Sequence, residues 1–252
     1  MAAELLKIEH LQKSYDSHVV LKDLSLFVDE GEVLVVVGPS GCGKSTLLRC
    51  INALEPVQGG RILLRGRDIH ENEKNLPKLR QQIGMVFQSY ELFPHKNIMD
   101  NIILAPIIVQ KRKREEARQE AMELLARVGL ENRANDFPRQ LSGGQKQRVA
   151  IVRSLIMHPE LLLFDEVTAA LDPGMVREVL DVLLDLARQG RTMIIVTHEM
   201  QFARAVADRV VFLDKGKIVE ESAPEAFFSR PQTERARRFL DTFSFETVRK
   251  SG

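Results

Sequence analysis

Apolar residues follow two spacings along this chain. Short β-branched runs such as Glu32 to Val37 are nearly continuous, the pattern of a strand buried on both faces. Met85 to Gln88, Leu161 to Asp165, Thr192 to Thr197 and Val210 to Leu213 read the same way. The last run continues through Asp214-Lys215-Gly216-Lys217 into Ile218 to Glu220, which predicts a hairpin closed at Gly216. Between the runs lie segments of helical period. Arg114 to Val128 puts Ala117, Ala121, Leu124, Leu125 and Val128 on one stripe, and Arg148 to Met157 is a second helix. Lys7 to Glu30 and Arg61 to Ile69 alternate as short strands with charged turns. Strands interleaved with helices predict an α/β fold, with a largely helical insert between about Glu91 and Met157.

Composition adds limits. The 252 residues carry 36 Lys+Arg against 35 Asp+Glu, a balance unlike that of a general nucleic-acid binder. The longest apolar run, Ile102 to Val109, is eight residues including Pro106, whereas a spanning helix needs about 20. The N-terminus carries Glu4 and Glu9 and does not resemble a secretory signal. Two cysteines, Cys42 and Cys50, make no disulfide framework, which predicts a reducing compartment. The charge run Lys111-Arg112-Lys113-Arg114 reads first as a solvated helix entry, and secondarily as a lipid or partner contact.

Gly38-Pro39-Ser40-Gly41-Cys42-Gly43-Lys44-Ser45 is a complete phosphate-binding loop between a buried strand and a predicted helix, Lys44 to about Leu54. Its glycines let backbone N–H groups converge on phosphate oxygens at a helix N-terminus. Lys44 supplies a cation for the β- and γ-phosphates, Ser45 a hydroxyl for Mg²⁺, and Thr46 an approach to the α-phosphate. Cys42 is a variable member of the loop, a small filler whose alkylation is expected to block nucleotide binding. Leu161 to Glu166 is an apolar strand ending in two carboxylates. Neighbours on a strand point to opposite sides, so Asp165 suits the Mg²⁺ shell and Glu166 suits water activation. Leu141-Ser142-Gly143-Gly144-Gln145, before another helix, offers a second group of exposed N–H donors.

Together these segments resemble the ATPase subunits of ABC transporters over nearly the whole chain. Gln88 in Val86-Phe87-Gln88 matches that family's Q-loop, Ala170-Leu171-Asp172 its D-loop, and His198 its switch histidine. Tyr15, ahead of Val20-Leu21-Lys22-Asp23-Leu24, matches the aromatic that stacks on adenine. The resemblance implies one ATPase unit over 1–252. Residues 1–88 and 158–252 would form a P-loop NTPase core of mostly parallel sheet with an N-terminal antiparallel β subdomain; 89–157 would form the inserted helical subdomain. It also implies a head-to-tail homodimer. Tyr15, Ser40, Gly41, Cys42, Gly43, Lys44, Ser45, Thr46, Gln88, Asp165, Glu166 and His198 would hold ATP, with Ser45, Gln88 and Asp165 toward Mg²⁺. Ser142, Gly143, Gly144, Gln145 and Asp172 would reach the partner's ATP in trans. Glu166, His198, Gln88 and Lys44 would act in hydrolysis.

Val167 stands where the family usually has proline, Ala169 at a common serine position, and Gly174 where an acidic residue is frequent. A looser loop is expected there. The stretch Phe87 to His95, Thr197-His198-Glu199-Met200 with Phe202-Ala203, and the tail around Ala226-Phe227-Phe228 and Arg238-Phe239-Leu240 are most similar to the polar amino acid uptake subfamily. By that resemblance the partners are separate permease subunits and, indirectly, an extracytoplasmic solute-binding protein, with no nucleic acid. The location would be peripheral, on the cytoplasmic face of the cell membrane. Soluble ABC proteins of DNA repair or translation share the nucleotide site but typically carry a coiled-coil insert or a second ATPase copy, neither of which is read here.

Overall fold

The computed structural model describes residues 3–70 and 76–243. Two sheets and a helical layer position the site. Strands β1 (Glu4–Tyr15) and β2 (His18–Asp29) pair antiparallel, and β4 (Gly59–Leu64) and β5 (Arg67–Asp68) extend that sheet in the order β2-β1-β4-β5. These strands are longer than the short ones expected. Register shifts between Ile8, Leu11, Lys13 and Ser14 interrupt β1's alternation, and that break is what reads in sequence as a strand end.

The second sheet has the order β10-β9-β3-β8-β7-β6, with β3 (Val33–Val37) central. Its neighbours β8 (Thr192–Val196) and β9 (Arg209–Asp214) run parallel to it, as do β7 (Leu161–Asp165) and β6 (Ile83–Val86) farther out. Only β10 (Lys217–Ser222) is antiparallel, joined to β9 by Lys215 (φ 49°) and Gly216 (φ 79°). Two successive left-handed residues are what a type I′ turn requires, and the hairpin closes at Gly216 as expected.

Every residue of β3, β7 and β8 is buried, and successive side chains feed opposite cores. Leu34, Val36, Leu161, Leu163, Ile194 and Val196 pack toward the antiparallel sheet and helix α1 (Lys44–Ile51). Val33, Val35, Leu162, Phe164, Met193 and Ile195 pack toward α6 (Pro173–Arg188) and α7 (Met200–Val206). Leu47, Leu48 and Ile51 of α1 are fully buried, each contributing about 1.5–3 kcal/mol, which anchors the helix that opens at the phosphate loop.

Helices α3 (Ile98–Ile108), α4 (Arg114–Arg127) and α5 (Gly143–Leu155) form a separate core from Ile98, Ile102, Ala117, Ala121, Leu125, Val149 and Val152. The apolar run containing Pro106 is therefore helix α3. Helix α2 (Leu76–Gln82) precedes β6. At the C-terminal side, α8 (Pro224–Ser229) and α9 (Glu234–Asp241) cover β9 and β10, Phe212 stacking 5.1 Å from Phe239. No helix among the described residues is long and apolar enough to cross a membrane. The charge run at 111–114 is locally paired: Arg112 to Glu120, Lys113 to Glu116 (3.7 Å) and Arg114 to Asp100 (2.7 Å). It opens α4 as a solvated helix entry.

Candidate nucleotide site

The loop between β3 and α1 needs glycine at two positions. A Cβ on Gly38 would lie 2.0 Å from the Leu213 carbonyl oxygen, and one on Gly43 (φ 110°) would lie 2.7 Å from Leu21 Cδ2. The hairpin and β2 therefore press the loop from behind. Gly216 N–H donates to the Cys42 carbonyl (3.1 Å), and Lys22 N–H donates to the Gly216 carbonyl (2.8 Å). In front, Ser40, Gly41, Gly43, Lys44, Ser45 and Thr46 line a cavity of about 390 Å³ with Val20 and Glu166.

Lys44 is buried, and its Nζ donates to the Gly38 carbonyl (3.0 Å) and the Pro39 carbonyl (3.2 Å), 3.5 Å from Glu166 Oε1. Ser45 Oγ donates to Asp165 Oδ1 at 2.7 Å. Glu166 Oε1 also meets His198 Nε2 at 2.8 Å. Burial pushes the Asp165 carboxyl up, against the Ser45 hydrogen bond pulling it down. The hydrogen bond from His198 holds the Glu166 carboxyl low, against its own desolvation. Glu166 is thus ionised at neutral pH and sits between two nitrogen donors.

Two corrections concern side-chain direction. Glu166 is not the last residue of a strand facing away from Asp165. The strand ends at Asp165, and Glu166 is left-handed at φ 47°, a conformation that costs about 1–3 kcal/mol for a residue with a Cβ. That turn swings its carboxylate back toward Lys44. Cys42 does not face the cavity. Its side chain is buried in the core beside Leu213, and burial raises its thiol, so it is a poor target for alkylation. The loop after Glu166 is also not loose. Val167 is buried, and turns from Ala169 N–H to the Glu166 carbonyl and from Leu171 N–H to the Thr168 carbonyl (3.0 and 3.1 Å) close it.

Gln88 is exposed and borders a larger groove of about 1030 Å³ together with Ser45 and Asp165. Ser45 and Asp165, 2.7 Å apart, are hard oxygen donors that suit a divalent cation completing its shell with phosphate oxygens and water, and Gln88 lines the same groove. Tyr15 is 39% exposed at the end of β1. Ser142 caps α5: its Oγ accepts from Gln145 N–H (3.3 Å), and the Gln145 side chain accepts from Ser142 N–H (3.0 Å). Gly143 and Gly144 open the helix, with Asp172 as the exposed cap position of α6. None of residues 141–145 lines the phosphate cavity of its own chain.

A family model described as ABC transporter matches residues 21–169, from β2 through the loop after β7. The chain belongs to the ABC transporter family. This ABC protein is 52% identical over 94% of its length to the arginine transport ATP-binding protein ArtM of Bacillus subtilis, covering 99% of that relative. It is 54% identical to the glutamate/aspartate import ATP-binding protein GltL of Escherichia coli K12, over 94% of this chain and 98% of that one. Among solved structures, the ATP-binding cassette MJ0796, dimeric and bound to ADP and Pi after hydrolysis, matches with a TM-score of 0.80 and 34% identity. That match covers 87% of this chain and 99% of the other.

Sequence reasoning missed three residues of this ABC protein that tie the segments around the site together. Gln147, fully buried on α5, donates to the Phe87 carbonyl (3.2 Å) next to Gln88. Arg153 donates to the carbonyls of Glu91 (2.5 Å) and Tyr90 (3.2 Å), both left-handed residues. Met175 Sδ accepts from Gly144 N–H at 3.4 Å, in the segment expected to act in trans. The available signal was a polar residue, Gln147, on the buried face of an apolar helix.

Proposed function

We propose that this chain is the ATP-hydrolysing subunit of an amino acid importer, working as a head-to-tail homodimer beneath separate permease subunits. The observation that carries the reading is the cluster Lys44–Glu166–His198 beside Ser45–Asp165, set at a glycine cradle with an open cavity. The loop's N–H groups and Lys44 bind the triphosphate, and Lys44 exchanges the Gly38 and Pro39 carbonyls for phosphate oxygens. Ser45, Asp165 and Gln88 would hold Mg²⁺, which would supply charge neutralisation for the triphosphate. Glu166 orients the attacking water and accepts its proton, while His198 fixes that carboxylate and reaches toward the γ-phosphate. Tyr15 stacks on adenine.

Ser142, Gly143, Gly144, Gln145 and Asp172 of the second copy complete each site. Their absence from the lining of the phosphate cavity in cis supports this. The Ser142, Gly144 and Gln145 N–H groups, paired within the chain to Gln145 Oε1, Met175 Sδ and Ser142 Oγ, would exchange those partners for phosphate oxygens on closure. Dimer closure thereby depends on ATP, and hydrolysis releases it.

The large groove supports a membrane-protein partner. Leu54, Phe93, Ile108 and Val109 expose 41–55% of their surface along it, next to Arg49, Arg80 and Arg153. A permease segment docked there would touch Gln88 and so sense the nucleotide. The arginine and glutamate/aspartate transport named for the two relatives supports a polar amino acid as cargo, delivered outside by a solute-binding protein. The protein then sits peripherally on the cytoplasmic face of the membrane, and near-equal charge totals give no basis for nucleic acid as a partner. Core segments 1–88 and 158–252 carry the phosphate loop and the hydrolytic residues, and the helical segment 89–157 carries the donor segment at 141–145. Affinity capture of the tagged chain from native membranes, read by mass spectrometry, is expected to return permease subunits. Capture of repair or translation factors in their place would refute the transport role.

A further inference from the structure

A buried ammonium lies behind the aromatic ring expected to carry adenine. Lys13 is only 2% exposed. It lies in β1 between the buried Leu11 and the half-exposed Tyr15, where register shifts interrupt the strand's alternation. Its Nζ donates to the Pro56 carbonyl at 2.9 Å, pairs with Glu55 Oε2 at 3.0 Å, and lies 4.4 Å from the centre of the Tyr15 ring. Glu55 and Pro56 belong to the loop leaving α1, the helix that begins at the phosphate loop. The same loop is tied to β1 by Gln58, whose N–H donates to the Gln12 carbonyl (2.9 Å) and whose Oε1 accepts from Ser14 N–H (2.7 Å).

An apolar residue at this core position would avoid the desolvation of an ammonium, a penalty of several kcal/mol. The charge does something that packing alone would not. Over an aromatic face it attracts the ring electrostatically and draws electron density toward itself. Tyr15 then loses its freedom to rotate before any nucleotide arrives, and its outer face is left less electron-rich toward an electron-rich base.

We propose that Lys13 is a positioning and specificity residue for the nucleoside: its buried ammonium fixes the Tyr15 ring from behind so that the exposed face receives a purine. The inference rests on Tyr15 being the adenine platform. Because Glu55 and Pro56 hang from α1, the same contact keeps platform and phosphate loop at a set separation.

The test compares full-chain variants by steady-state ATP and CTP hydrolysis. Lys13→Met should raise the ATP KM about 3- to 10-fold, the value of one side chain left unordered. The kcat at saturating ATP should be unchanged, and the preference for ATP over CTP should shrink. Lys13→Arg should recover the KM. Tyr15→Ala should raise it about 5- to 150-fold by losing one stacked base, and adding Lys13→Met to it should do nothing more. If Lys13→Met does not fold, Lys13→Met with Glu55→Gln removes both charges and carries the same comparison. An unchanged KM in the Lys13 variants beside a raised one in Tyr15→Ala overturns the role of Lys13, as does an equal Lys13 effect with and without Tyr15. An unchanged KM in Tyr15→Ala overturns the stacking reading itself.

Discussion

Gly216 is where the hairpin, the antiparallel sheet and the phosphate loop meet, so Gly216→Ala perturbs all three at one atom. The residue is left-handed at φ 79°, and an added Cβ would lie 2.1 Å from the Val20 carbonyl oxygen and 2.9 Å from its carbon. The left-handed conformation costs an alanine about 1–2 kcal/mol. Forcing the methyl against backbone that cannot rotate away adds about 1–3 kcal/mol. The sum, about 2–5 kcal/mol, lowers the melting temperature by about 4–10 °C in a chain of this size. Relief by shifting the turn is possible only if Val20 or the loop moves, and both border the phosphate cavity. The ATP KM should therefore rise with the loss of stability. Lys215→Ala, at an equally left-handed but exposed position, changes the melting temperature by no more than a surface substitution does, about 0.5 kcal/mol. Circular dichroism melts and ATPase kinetics on both variants give the answer. A Gly216→Ala protein that melts like wild type refutes the claim that this turn braces the loop.

Lys44→Ala should abolish ATPase activity, and retained turnover would remove the phosphate-loop assignment. Glu166→Gln should bind ATP with Mg²⁺ yet accumulate as a dimer by light scattering, and a monomer at saturating nucleotide would count against the trans arrangement. Arg235 donates to Asp214 at 2.7 Å and, by that hydrogen bond, holds its carboxyl below the usual 3.8. A lowered folded value stabilises the protein above the unfolded value and is lost as pH falls through the folded one. The melting-temperature gap between wild type and Arg235→Ala should then be open at neutral pH and close in acid below 3.8. A gap independent of pH would show that the pair contributes only packing.

Most strands of the central sheet were legible because burial on both faces leaves continuous apolar runs, and the Lys215-Gly216 hairpin because its turn chemistry is local. The edge strand expected at Met85 to Gln88 lies two residues earlier, at Ile83–Val86. The antiparallel strands were underestimated where bulges break their alternation. Lys13 carries no mark of burial in the sequence, yet it is 2% exposed beside the register shifts of β1. Glu166 could not be aimed correctly, since its left-handed backbone is imposed by the turn that follows rather than by strand alternation. Gln147, Arg153 and Met175 act through contacts 31 to 63 residues away along the chain, and no periodicity reports such partners. The motif segments were legible in identity, and their side-chain directions were not.

The central claim is that each ATP site is built from two copies. Lys44→Ala lacks a working phosphate loop, and Ser142→Arg lacks a working donor segment, so each homodimer should be inactive. In a mixed dimer the Ser142→Arg copy contributes an intact phosphate loop and the Lys44→Ala copy an intact Ser142 segment, which together make one complete site. Mixing the two inactive proteins should therefore restore ATP hydrolysis, whereas a mixture that stays inactive contradicts the account.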